Sequence, residues 1–232
     1  MDSSLIAALG LGFVLGVRHA MEPDHVAAMS TFVSQERSIV RSCLRGTFWG
    51  IGHTAALLAA GVAVVVFKLR VPPEAERIIE SCIALVLVLL GGHVLLRAVG
   101  TLSVHRHEHA HDGSLHRHVH VHVGSTPSHD HLHPFSGARK PLLLGLLHGL
   151  GGGGTLVLVV LTTLPSPTAA FVYLLVFGAG STIGMLVLSG LIGIPFTLLR
   201  GSSRVATVAV QAVVGVASVV IGVLMLASAG GA

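Results

Sequence analysis

His19 and His25 stand six residues apart in the stretch His19-Ala-Met-Glu-Pro-Asp24-His25, with Asp24 beside the second imidazole. Two imidazoles and a carboxylate form a donor set suited to a divalent transition metal. The set ends a hydrophobic segment, where ionisable side chains cost insertion energy and are kept for function. Six residues are about 600° of helix, so an unbroken helix would turn the two rings to different faces. Pro23 lacks a backbone donor and disfavours helix at Glu22 before it. A break there lets Asp24 and His25 turn back toward His19. It also frees carbonyls that membrane depth tolerates only where they line a cavity or meet protein partners. The alternative is a helix end at which Asp24 caps the next segment and the histidines make local hydrogen bonds.

Other residues can extend this set. His53 lies in Gly-Ile-Gly-His-Thr, where Gly50 and Gly52 allow a close helix approach that would bring its ring near Asp24. It is the fourth candidate ligand, the alternative being an interhelical hydrogen bond. Arg18 and Glu22 flank the first motif and are expected to balance charge and orient the ligands, because a metal-bound imidazole gives its other N–H to a polar partner. His148, followed by a run of glycines, reads as a residue behind the ligands, a pathway residue or core. Thr54, Ser181 and Thr182 read as hydrogen-bonding residues of helix packing beside the site, and His93 as structural. The loop holds His105, His107, His109, His111, His116, His118, His120, His122, His129, His131 and His133, eleven of the 16 histidines. Such a tract forms no packed core and reads as flexible metal-binding sequence, a buffer separate from the deeper site.

These residues need a scaffold, and composition names it. Only 10% of the 232 residues are charged and 52% are hydrophobic, whereas soluble domains carry about 25% charge. Long continuous apolar runs favour helices over a barrel, so the expectation is an all-α polytopic membrane protein. The start of the chain lacks the pattern of a cleaved leader, and its first segment is expected to remain as a span. Six spans are predicted at 4–33, 42–67, 77–100, 139–163, 167–191 and 203–229, the fifth continuing raggedly past Pro195. The loops after spans one, three and five carry Arg37, Arg41, Arg45, Arg97, Arg106, Arg117, Arg139, Lys140, Arg200 and Arg204. The opposite loops carry Lys68, Arg70 and Arg77, offset by Glu74, Glu76 and Glu80. The positive-inside rule then places both termini outside the cell membrane and the 101–138 loop in the cytoplasm. The basic residues report topology, not nucleic acid. Cys43 and Cys82 fall near opposite faces and are not expected to pair.

The chain also resembles itself. Leu15-Gly-Val-Arg-His19-Ala has a counterpart in Leu144-Gly-Leu-Leu-His148-Gly, 129 residues on. Phe48-Trp-Gly-Ile-Gly-His53-Thr54 has one in Val176-Phe-Gly-Ala-Gly-Ser181-Thr182, 128 residues on. The near-identical offsets predict residues 1–100 as one three-helix repeat carrying the metal motif. Residues 139–232 would be a second, inverted one, with 101–138 between them. Inverted repeats with interrupted helices are a transporter signature, with the site near their interface. The places of Asp24 and His25 are taken by Gly153 and Gly154, so the predicted site is asymmetric.

Several chemistries find no support. Gly149 to Thr155 is glycine-rich like a phosphate loop but lacks the lysine before the threonine, and no His-Glu-x-x-His motif lies in a predicted span to support an intramembrane metalloprotease. No nucleophile–base pairing is evident, and an enzyme is not expected.

The motifs together resemble the nickel/cobalt transporter (NiCoT/NicO) family. Its His-x4-Asp-His signature is matched by His19 to His25, its Gly-His-Ser/Thr segment by Gly52-His53-Thr54, and its later Phe-Gly-x-Gly-Thr/Ser motif by Phe177 to Thr182. Six spans are more similar to the urease-associated and resistance-type branches than to the eight-span permeases, whose later acidic segment has no clear match. The resemblance implies a secondary transporter with Ni2+, and also Co2+, as substrate rather than cofactor. Its ligands would be His19, Asp24, His25 and His53, and its partners the bilayer and a cytoplasmic metallochaperone. An inside-negative potential favours entry of a dication by about 4.6 kcal/mol per 100 mV, twice the single-charge value, which selects uptake. The alternatives are an efflux permease, or a membrane metal sensor or scaffold working through the histidine-rich loop.

Overall fold

The computed structural model describes residues 3–36, 38–69, 72–100, 103–111, 114–122, 138–151, 164, 166–199 and 204–230. These contain α1 (Ser3–His19), α2 (Pro23–Val33), α3 (Ile39–Phe67), α4 (Pro73–Gly100), β1 (Ser103–His111) and β2 (Ser114–His122). The remaining elements are α5 (Arg139–Leu150), α6 (Pro167–Leu198) and α7 (Arg204–Gly230). Among the described residues four helices are long and apolar enough to cross a membrane: α3, α4, α6 and, from Val205 onward, α7. The chain is thus a polytopic helical membrane protein.

The first predicted span is two helices. The α1 ladder gives way to tighter bonds, Met21 N to Arg18 O at 2.9 Å and Glu22 N to His19 O at 3.0 Å. Glu22 is extended (φ −62°, ψ 146°) and Pro23 opens α2, as the restriction on a residue before proline requires. Proline at a first helical position gives up only a donor that would be orphaned anyway. The other boundaries differ by small amounts. α3 begins at Ile39 rather than 42, after an extended Ser38. α4 begins at Pro73 rather than 77, with Glu74 and Glu76 in its first turn, where negative charge suits the helix dipole. α6 runs through Pro195 to Leu198, the continuation expected beyond 191. The predicted extension of span four from 152 to 163 lies outside the described residues.

The bundle is all-helical as expected, and the histidine-rich loop adds one hairpin. β1 and β2 pair antiparallel, with His105 opposite His120, His107 opposite His118 and His109 opposite His116. The His-x-His alternation has the period of two that a strand requires. Asp112-Gly113, between the paired His111 and Ser114, is the dipeptide preferred in two-residue hairpin connections. His129, His131 and His133 lie outside the described residues.

α3 and α6 pack along one another at the centre; α1 lies against α6, α5 against α3, and α4 against α7, while α2 reaches α7 and α4. Glycine permits the closest crossings. A Cβ on Gly16 would collide with the Phe177 carbonyl oxygen and stand 2.9 Å from the Ser181 amide, and one on Gly145 would collide with the Trp49 carbonyl oxygen and stand 3.0 Å from the His53 amide. At one end of the bundle α2, α3, α4 and α7 are tied together. Arg97 Nη1 donates to Gln35 Oε1 at 2.9 Å, Gln211 Nε2 donates to the Ser34 carbonyl at 2.9 Å, and Arg45 pairs with Glu36. Cys43 and Cys82 are both free.

Candidate metal centre

The break between α1 and α2 decides the site. It leaves His19 as the last residue of α1 and puts Asp24 and His25 in the first turn of α2, so the chain folds back over its own histidine. The ring centroids of His19 and His25 are 4.6 Å apart. The straight-helix geometry that would have separated them does not occur.

His53 completes the group from α3. Its Nε2 is 3.0 Å from His19 Nε2, and its ring lies 5.1 Å from that of His25. One nitrogen from each of His19, His25 and His53 falls within 4.8 Å of the other two. All three side chains are buried. Two nitrogens bound at about 2.1 Å to one metal and at right angles to each other would be about 3 Å apart, the separation seen between His19 and His53. A buried pair of imidazole nitrogens aimed at each other can share one proton in a hydrogen bond, or one cation.

Carboxylates stand behind two of the rings. Glu22 Oε2 lies 3.0 Å from His19 Nδ1 and Asp24 Oδ1 lies 3.1 Å from His25 Nδ1. In each ring Nδ1 is thereby engaged and Nε2 left for the cluster; His25 Nε2 is buried with no hydrogen-bond partner. A carboxylate on Nδ1 fixes the tautomer and the ring orientation. Asp24 was expected as a ligand, and Glu22, with Arg18, as a residue that orients the ligands. Here both carboxylates contact rings in the same way. Their spacing explains it: Glu22 is three residues after His19 across the tight turn, and Asp24 adjoins His25.

The other expected residues divide cleanly. Arg18 is exposed, because one residue before His19 is about 100° around the helix from it; its predicted orienting role is not seen. Thr54 Oγ1 donates to the Gly178 carbonyl at 3.0 Å and sits 3.1 Å from Thr182 Oγ1, so both threonines serve the α3–α6 contact. Ser181 is buried with its Oγ unpartnered. His93 is exposed on α4. His148 is fully buried, its ring 5.1 Å from that of His25 and 5.0 Å from that of Trp49. Trp49 and Phe177 were not singled out by chemistry, yet Trp49 meets the ring of His148 and Phe177 has its ring 5.6 Å from that of His19. Their places in the two matching Gly-x-Gly segments are the signal that could have found them.

Comparison with known proteins gives a consistent answer. The family model NicO, described as high-affinity nickel-transport protein, matches residues 5–229. The urease accessory protein UreH of Bacillus sp. (strain TB-90) is 38% identical over 219 residues, which cover 94% of this chain and 90% of that protein. No solved structure matches.

Proposed function

The chain belongs to the NicO family of high-affinity nickel-transport proteins, and from that premise we propose that it carries Ni2+ inward through the cluster of His19, His25 and His53. It is a nickel transporter and not an enzyme, and Ni2+ is its substrate, not a resident cofactor. The observation that carries the site reading is the convergence of three buried imidazole nitrogens within 4.8 Å, two of them on rings backed by carboxylates. Three neutral nitrogens replace part of the ion's water. The negative charges of Glu22 and Asp24 offset the dication without occupying its coordination sphere. Imidazole also binds Co2+, Zn2+ and Cu2+, so selectivity rests on geometry. Co2+ is the second substrate in this reading.

The architecture we infer is six spans in two inverted halves, with α1 and α2 together forming one interrupted span. The support is a set of recurring contacts. Gly16 on Phe177 and Ser181 is matched by Gly145 on Trp49 and His53, Gly180 on Phe13 by Gly52 on Leu142, and Gly178 on Thr54 by Gly50 on Thr182. Each pair is related by the offsets of the sequence repeat. Alternating access would follow from rocking one half against the other about these glycine contacts.

The orientation proposed is termini outside the cell membrane and the 101–138 loop in the cytoplasm. It is supported by the basic loops and by Gln35, Arg45, Arg97 and Gln211 meeting at one end of the bundle. The histidine-rich hairpin would then buffer metal, or meet a metallochaperone, on the receiving side.

The test is flux of radioactive nickel into proteoliposomes under an imposed inside-negative potential. Saturable uptake that is lost in His19→Ala and in His53→Ala, with both variants folded, is the expected result. Nickel binding without flux under either sign of potential would instead favour a metal sensor.

A further inference from the structure

His148 is the least expected polar group in the bundle. It is fully buried, and its Nε2 has no hydrogen-bond partner. A buried polar atom left unsatisfied costs on the order of 1–3 kcal/mol, and a leucine or phenylalanine would fill the same space without that cost. Asp24 faces it. One carboxylate oxygen, Oδ1, is held by His25 Nδ1 at 3.1 Å, and the other, Oδ2, lies 3.7 Å from His148 Nε2. That gap is too long for a hydrogen bond. It suits a cation between the two atoms, since ligands at about 2.1 Å from one metal can be up to about 4.2 Å apart.

Helix α3 serves as a ruler for where this pair lies. His19 meets α3 at His53, while His148 meets it at Trp49, four residues nearer the start of the helix. Four residues are just over one turn, about 6 Å along the axis. The start of α3 is the end at which Arg45 pairs with Glu36 and Arg97 meets Gln35. His148 does not join the three nitrogens that lie within 4.8 Å of one another. It stands beside them, with the ring of His25 about equally far from His53 and from His148. Gly145 and Gly149 press the backbone of α5 onto α3 on either side of His148, which holds the imidazole in place.

We propose that Asp24 and His148 form a second cation station, one helical turn beyond the His19–His25–His53 cluster, to which the transported divalent ion passes on its way toward the Arg45 end of the bundle. This rests on the transport reading above and deepens it. A path needs sites weak enough to leave as well as strong enough to enter, and a two-donor station after a three-imidazole site supplies that step down. Asp24 belongs to both, since its two oxygens face the two groups, so the ion moves without losing its compensating charge.

The experiment compares wild type with His148→Leu, His148→Gln and His148→Cys, using Ni2+ as the probe. Equilibrium nickel binding is measured in detergent and nickel flux in proteoliposomes. Expected are binding within about threefold of wild type for all three variants, and flux reduced about tenfold or more in Leu and Gln. Partial recovery is expected in Cys, which restores a ligand atom. A structural role would favour Leu, which packs best, and not Cys. Wild-type flux in His148→Leu overturns the proposal, as does loss of binding as severe as in His53→Ala, which would make His148 part of the first cluster. If His148→Leu elutes misfolded, the Gln and Cys pair decides on the same criteria. Absence of flux in the wild type itself removes the transport reading, and this proposal with it.

Discussion

Gly16 of α1 rests on the Phe177 carbonyl and Ser181 amide of α6, and Gly145 of α5 rests on the Trp49 carbonyl and His53 amide of α3. These backbone contacts are counterparts. The side chains around them are not: an imidazole at 53 stands where a hydroxyl stands at 181, and an indole at 49 where a phenyl ring stands at 177. The carboxylate and imidazole of Asp24-His25 are replaced in the later half by Gly153-Gly154. Packing and chemistry are therefore specified by different residues. Small residues set how closely the helices cross, and the neighbouring positions decide which polar side chains meet there.

The strongest way to break the comparison is to make the first half resemble the second. His53→Ser installs the residue found at 181 and removes one of three buried nitrogens. Equilibrium nickel binding is expected to weaken by more than about 100-fold, since even residues behind metal ligands are worth 10–100-fold. The Gly52 contact with Leu142 is untouched, so the protein should elute and melt like wild type. Unchanged binding would remove His53 from the site.

Next come the two carboxylates. Glu22→Gln and Asp24→Asn keep the shape and a hydrogen-bonding oxygen but lose the charge, and each is expected to lower nickel affinity about 10–100-fold. Glu22 is more exposed than Asp24 (41% against 12%), so its charge is better screened and its loss should be the smaller. Equal losses would show that the two act alike despite their different surroundings.

How much of this was legible in the sequence varies with the kind of signal. The break before Pro23 could be read because proline restricts the residue before it by local sterics, and that break is what brings His25 back to His19. Glu22 was expected to orient a ring, but the matching contact of Asp24 could not be read, because it depends on which ring nitrogen faces the carboxylate after the turn closes. The burial of His148 beside Asp24 depends on how α5 crosses α3, a contact between residues far apart in the chain. The hairpin was available in the His-x-His period and the Asp112-Gly113 pair. It was missed because composition was given more weight than alternation.

The matched glycines give a prediction of stability rather than binding. Gly16→Ala and Gly145→Ala each place a methyl group against a carbonyl of the central helices, and backbone cannot yield as a flexible side chain can. Overpacking of this kind costs about 1–3 kcal/mol. Both variants should therefore show a lowered thermal midpoint in detergent, by similar amounts. Unequal shifts would mean that the two crossings, alike in their contacts, are not alike in energy.

The smallest effect lies where the halves touch themselves. Thr54 and Thr182 are counterparts, and their hydroxyls are 3.1 Å apart. Two hydroxyls cannot both donate to each other, so this bond must be asymmetric even between matching positions. Thr54 gives its proton to the Gly178 carbonyl at 3.0 Å, which leaves Thr182 as the donor to Thr54. Thr54→Val then removes two hydrogen bonds and strands the Thr182 hydroxyl, whereas Thr182→Val removes one and leaves Thr54 bonded to Gly178. At about 1 kcal/mol for each bond, Thr54→Val should lower the thermal midpoint about twice as far as Thr182→Val. The double variant should cost no more than Thr54→Val alone, because the only bond assigned to Thr182 is already gone. Equal single effects would mean that the proton is shared between two arrangements, one half donating in each.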